Sequence, residues 1–77
     1  MDKMQALPWN KKLMTLRIYK GLTQEVIAEE LGIHPDSYRA WENGRHYPGR
    51  LARRTLVRYH GVTEIEVFGG SGKLERM

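Results

Sequence analysis

Residues 21–45 read GLTQEVIAEELGIHPDSYRAWENGR, and this stretch decides the fold. Thr23 opens a helix, its hydroxyl placed to cap the next turn, although Val26 stands where a full capping box has Glu or Gln. Ile27, Ala28 and Leu31 recur at helical spacing and form an inward face, while Glu25, Glu29 and Glu30 face water. Gly32 ends this helix after about nine residues, a length that water alone does not sustain, so packing must hold it. A second helix is predicted over 35–43, because Pro35 suits a first turn, where the N–H it lacks would be unpaired anyway, and Gly44 closes the segment. Tyr38 and Trp41, with Ile33, make its buried side; Asp36, Ser37, Ala40 and Asn43 fall on the other. Two short helices joined by a glycine-containing turn form a helix-turn-helix unit.

Helical patterning continues on both sides. Upstream, a helix is expected to start near Asn10, with Asn10 as its cap and Pro8 marking the approach. Trp9, Leu13 and Leu16 give its apolar stripe, Met14 and Ile18 widen it, and Gly21 stops it. Downstream, Arg45 to Gly49 reads as a loop containing Pro48. A helix over 50–60 follows, with Leu51, Ala52, Thr55, Leu56 and Tyr59 as its apolar face and Arg50, Arg53, Arg54 and Arg58 on the rest. After Gly61, Thr63 and Glu66 have capping-box spacing, so a short fifth helix should carry Ile65 and Phe68 inward. Gly69-Gly70-Ser71-Gly72 has linker composition. Valine and isoleucine are scattered rather than alternating, and no internal repeat is visible. The expectation is therefore all-α: a compact five-helix bundle over 10–68 and a flexible tail over 69–77.

The chain has 77 residues and no cysteine, which suits one small domain without disulfides or Cys/His zinc sites. Tight helix packing, dimerisation or both must supply its stability. No apolar run reaches the ~20 residues that cross a bilayer. Met1 to Trp9 has no apolar core behind Lys3, so no signal peptide is expected and a cytoplasmic protein is the default.

The net charge of +4 is concentrated. Five basic residues balance five acidic ones from Met1 to Tyr38, whereas Arg39 to Arg58 holds six arginines against Glu42 alone. Guanidinium groups suit forked contacts with phosphate, and a concentrated basic stretch in a small domain points to nucleic acid. An enzyme is not expected. His34, His46 and His60 have no metal-ligand spacing, no glycine-rich loop precedes a helix, and no metal or cofactor is implied. Tyr38 and Trp41 lie on the buried side, which argues against aromatic stacking of single-stranded bases.

Leu16-Arg17, Gly21-Leu22-Thr23-Gln24, Ile27-Ala28, Leu31-Gly32-Ile33, Trp41-Glu42-Asn43-Gly44-Arg45 and Pro48 occur in an ordered set. With Gly61-Val62-Thr63 through Phe68, that set resembles the Cro/repressor-type (XRE-like) domain of phage and bacterial regulators, a lambda-repressor-like fold. The resemblance covers residues 10–68 and implies sequence-specific binding of double-stranded DNA by a transcription regulator, a repressor first. In that family the second helix of the unit enters the major groove. The resemblance then implies base reading by His34, Pro35, Asp36, Ser37 and Ala40. It implies backbone contacts from Thr23, Gln24, Arg39, Asn43 and Arg45, and a structural ion pair between Arg17 and Glu42. It also implies a homodimer with Ile65 and Phe68 at the contact. Asp36 has two readings, an acceptor for the cytosine amine or an acid complementing the helix dipole, and His34 is either a cap or a base reader. Arg50 and Arg53 stand where the family tends to have leucine, so the fourth helix is either rotated or unusually exposed. The competing class is an antitoxin or coactivator-like module whose main partner is a protein.

Overall fold

The computed structural model describes residues 6–69. Five helices follow in order: α1 Trp9–Tyr19, α2 Gln24–Leu31, α3 Pro35–Glu42, α4 Arg50–His60 and α5 Glu64–Phe68. Strands are absent among the described residues, and the architecture is the all-α, five-helix one that the periodicity predicts. The expected flexible tail covers 69–77; Gly69 instead ends α5, its amide donating to the Ile65 carbonyl at 2.9 Å, and residues 70–77 lie outside the described set.

The helix boundaries follow from local chemistry. Thr23 Oγ1 accepts from the Val26 amide at 3.1 Å, and the Gly32 that ends α2 is left-handed at φ 73°. His34 Nδ1 accepts from the Asp36 amide at 3.0 Å, so a histidine caps α3 directly ahead of Pro35. Thr63 and Glu66 form a reciprocal box at the start of α5, each side chain bonding the other's backbone amide. Asn10 is not a cap. Helix α1 begins at Trp9 behind Pro8 without a side-chain cap, and Asn10 Nδ2 instead donates to the Glu42 carbonyl at 3.0 Å. That contact lies beside Gly44, where φ is 80° and an added Cβ would come 3.4 Å from Asn10 Nδ2. The turn there needs glycine for its backbone angle first and for space second.

Leu13 of α1, Ile27 and Ala28 of α2, Tyr38 of α3, Leu56 of α4, and Val67 and Phe68 of α5 form one core. Trp9, Leu16, Leu31, Ile33, Trp41 and Tyr59 pack against it half-buried. Every helix contributes, which lets segments of eight residues or fewer persist.

Several expected core positions are exposed. Ile18 lies outside the α1 stripe, Leu51 is 74% exposed and Ile65 is 66% exposed. In α4 the buried edge is turned relative to the expected face: Leu56 is inside, Val57 is half-buried and Thr55 is outside. Leu51 instead borders a shallow apolar groove of about 130 Å³ with Leu31, Ile33 and Trp41.

Arg53 shows why α4 is turned. Its Nε donates to Glu64 Oε2 at 2.7 Å, its Nη1 to the Pro48 carbonyl at 3.0 Å, and its guanidinium lies 5.1 Å from the centre of the Tyr47 ring. Arg53 thus occupies a largely buried position and ties α4 to α5, while Arg50, Arg54 and Arg58 remain exposed.

Phe68 is 4% exposed, with its ring 6.1 Å from Trp9 and 5.8 Å from Tyr47. A side chain committed to its own core cannot also face a second copy, so Phe68 is withdrawn as a dimer contact. Val67 takes the inward place expected of Ile65, because the five-residue α5 turns its C-terminal end into the core. Lys12 is buried as well, and its ammonium donates to the Glu66 carbonyl at 3.0 Å, joining α1 to α5.

Candidate nucleic-acid interface

The face that α3 turns outward is set by what it hides. Tyr38 and Glu42, four residues apart on one side of the helix, are buried. Four donors converge on the Glu42 carboxylate. Arg17 supplies Nε at 2.7 Å and Nη2 at 3.1 Å, Gln24 supplies Nε2 at 2.9 Å, and Tyr38 supplies its hydroxyl at 2.5 Å. Arg17 also donates Nη1 to the Leu22 carbonyl at 2.8 Å, in the turn between α1 and α2. Burial pushes the Glu42 carboxyl up, but the bonds from Arg17, Tyr38 and Gln24 outweigh it and hold the group below its ordinary value. Burial and the neighbouring Glu42 push the Tyr38 hydroxyl upward, so it remains a donor. One carboxylate thereby fixes α1, α2 and α3 relative to one another.

With that side buried, the first turn of α3 stands clear. His34, Asp36 and Ser37 are exposed and Pro35 is half-buried. Because His34 Nδ1 accepts the capping bond, its ring proton sits on Nε2, which gives an outward donor. Thr23 is exposed at the start of α2. Past the end of α3, Asn43 Oδ1 accepts from the Arg45 amide at 3.0 Å, and the Asn43 and Arg45 side chains are exposed. The arrangement combines a polar helix start, a neighbouring helix start and a basic turn.

Three expected site residues are placed otherwise. Ala40 is 6% exposed. By helical angle it lies on the outer side, but the chain folds back behind it, and the amides of Arg45 and His46 both donate to its carbonyl at 3.0 and 3.3 Å. A residue so little exposed offers no methyl surface to a base. Gln24, expected at a phosphate, is half-buried with its amide nitrogen spent on Glu42. Arg39 is committed on the surface, donating to Asp36 Oδ1 at 2.6 Å and to Glu25 Oε2 at 2.8 Å.

The hydroxyl of Tyr38 and the amide of Gln24 are the parts of this site that pattern reading misses. A signal for the first was present, since Tyr38 and Glu42 are an i,i+4 pair. Nothing local marks the second. Among the described residues no group of His, Cys, Asp and Glu is arranged to hold a metal ion, and no helix is long and apolar enough to cross a membrane.

A family model described as a helix-turn-helix domain matches residues 12–67. The HTH-type transcriptional activator BcrR of Enterococcus faecalis is 34% identical over 64 residues, 83% of this chain and 31% of the relative. The cryptic phage CTXphi transcriptional repressor RstR of Vibrio cholerae is 29% identical over 63 residues, 82% of this chain and 57% of the relative. The chain thus spans about a third of one relative's length and somewhat more than half of the other's. No solved structure gives a significant match.

Proposed function

Because the chain belongs to the helix-turn-helix domain family, we propose that it binds double-stranded DNA in a sequence-specific way and regulates transcription, with residues 10–68 as the binding unit. The observation that carries this reading is the exposed first turn of α3, His34 to Ser37, held rigidly by the buried Glu42 cluster behind it. A helix held so by neighbouring helices enters the major groove with a defined angle. His34, Asp36 and Ser37 meet base edges beside Pro35, and Thr23, Asn43 and Arg45 fix the register on phosphates. The names of the two relatives, one an activator and one a repressor, support regulation in either direction. Repression is the proposed one, since occupying a groove suffices to exclude other binders.

The reading includes a homodimer on two half-sites about 34–36 Å apart, with the exposed Ile65 at the contact, and a cytoplasmic location. Sedimentation that finds a monomer both free and on DNA removes the dimer. Duplex binding measured against salt tests the function itself. Affinity should fall about 10³-fold or more between about 50 and 200 mM salt if six or more phosphates are neutralised. Binding that is absent at every salt concentration favours a module whose partner is a protein.

A further inference from the structure

The Arg39 guanidinium reaches across the unit. Its Nη2 holds Asp36 Oδ1 at 2.6 Å within α3, and its Nη1 holds Glu25 Oε2 at 2.8 Å on α2. We propose that Asp36 selects a cytosine in the bound duplex and that Arg39, anchored to α2 through Glu25, is the positioning residue for that selection. This rests on the DNA-binding reading above and gives it a base.

Three observations lead there. The first is electrostatic. A bare carboxylate at the leading turn of a groove-binding helix is repelled by phosphates on both sides. Arg39 answers that charge where it arises, on the carboxylate, rather than at a distance. The second is geometric. Arg39 occupies Oδ1 and leaves Oδ2, which lies 3.9 Å from His34 Nδ1. That nitrogen already accepts the Asp36 amide and cannot donate, so Oδ2 is an open acceptor on a side chain that is 75% exposed. The third is chemical. The hydrogen bond from Arg39 holds the Asp36 carboxyl below its ordinary value, so the group stays an acceptor near neutral pH.

An acceptor alone singles out cytosine among the four bases in the major groove. Guanine offers N7 and O6, both acceptors, and thymine offers an acceptor and a methyl group. Adenine has an amine, but its acceptor N7 lies beside it and faces the same carboxylate. Cytosine offers the N4 amine as a donor with no acceptor beside it on its own edge. With two of its nitrogens spent on carboxylates, Arg39 acts through Asp36 and is not a phosphate contact.

The test selects duplexes from a random pool with the full chain and with Asp36→Asn, Arg39→Ala, Arg39→Lys and Glu25→Gln. Binding of each to an unselected random duplex, and circular dichroism, serve as controls. The parent chain should prefer cytosine roughly five- to tenfold at one position of the site. Asp36→Asn should move that preference to adenine at the same position, because a side-chain amide pairs with adenine N6 and N7. Arg39→Ala should reduce the cytosine preference to about twofold or less while preference elsewhere and random-duplex binding persist; Arg39→Lys should keep part of it. Glu25→Gln should weaken the preference in the same direction, and it keeps the test open if Arg39→Ala does not fold. A parent chain without the cytosine preference, or an Asp36→Asn variant that retains it, overturns the assignment. So does an Arg39→Ala variant that loses affinity for all sequences alike. Failure of the parent chain to bind any duplex at low salt removes the DNA-binding reading, and this inference with it.

Discussion

Tyr38 and Glu42 lie one turn apart on the buried side of α3, and the tyrosine hydroxyl donates to Glu42 Oε2 at 2.5 Å. The same oxygen accepts from Arg17 Nε at 2.7 Å. A desolvated carboxylate is tolerable only when its lone pairs are answered, and here they are answered from three helices. The outward face of α3 is a consequence of that inward arrangement.

Removing the hub should therefore cost more than removing a spoke. Glu42→Ala strands the largely buried Arg17 and should lower stability by about 3 kcal/mol or more, whereas Tyr38→Phe should cost about 1–2 kcal/mol. Urea denaturation measures both. Replacing the pair together, Arg17→Met with Glu42→Leu, should recover most of the loss, because no charge is then left unpaired. Equal costs for Glu42→Ala and Tyr38→Phe would contradict the hub.

Acid should destabilise the fold in two steps. Burial, with the nearby Lys20 adding to it, pushes His60 from 6.5 down to about 4, and its Nε2 is buried without a hydrogen-bond partner among the described residues. The unfolded chain therefore takes up this proton before the folded one. Stability present above pH 6.5 is lost as pH falls toward about 4. Glu42, held below its ordinary 4.5, adds a loss that begins below that value. Thermal melts between about pH 7 and 3 should fall in that order, and His60→Gln should flatten the upper part of the curve only. An unchanged upper slope in His60→Gln would remove His60 as its source.

The arginines of α4 should divide sharply. Arg53→Ala breaks the bonds to Glu64 and the Pro48 carbonyl and should destabilise the domain by about 1–2 kcal/mol. Arg50→Ala, at an exposed position, should stay within about 0.5 kcal/mol. Chemical denaturation of the two variants side by side decides between this division and a uniform solvated row.

Arg45, exposed beyond the end of α3, is the cation whose loss should act on all duplexes alike. Arg45→Ala should weaken selected and random duplexes by the same factor and flatten the salt slope by about one unit. A change confined to one base position would instead place Arg45 at a base edge.

The elements themselves were legible from residues 21–68. Thr23, Pro35 and Thr63 mark helix starts and Gly32, Gly44 and Gly61 mark ends, because caps and left-handed glycines act within a few residues of chain. Individual facing was less legible in the short helices. In α5, Val67 and Phe68 turn inward and Ile65 does not. Five residues make little more than one turn, so apolar spacing alone cannot orient them. In α4, Arg53 sits inward because Glu64 and the Pro48 carbonyl, both on other segments, neutralise and hold it.

Local order along the chain thus determined where the helices lie, which side of α3 carries its aromatics, and where positive charge gathers. Tertiary structure alone decided that Gln24 turns to Glu42, that the returning chain covers Ala40, that Phe68 belongs to its own core, and that Arg39 spans Glu25 and Asp36. The physical reason is range. A cap or a periodic stripe is read over one or two turns, whereas the occupant of a buried carboxylate or a covered methyl depends on groups that only folding brings within hydrogen-bonding distance.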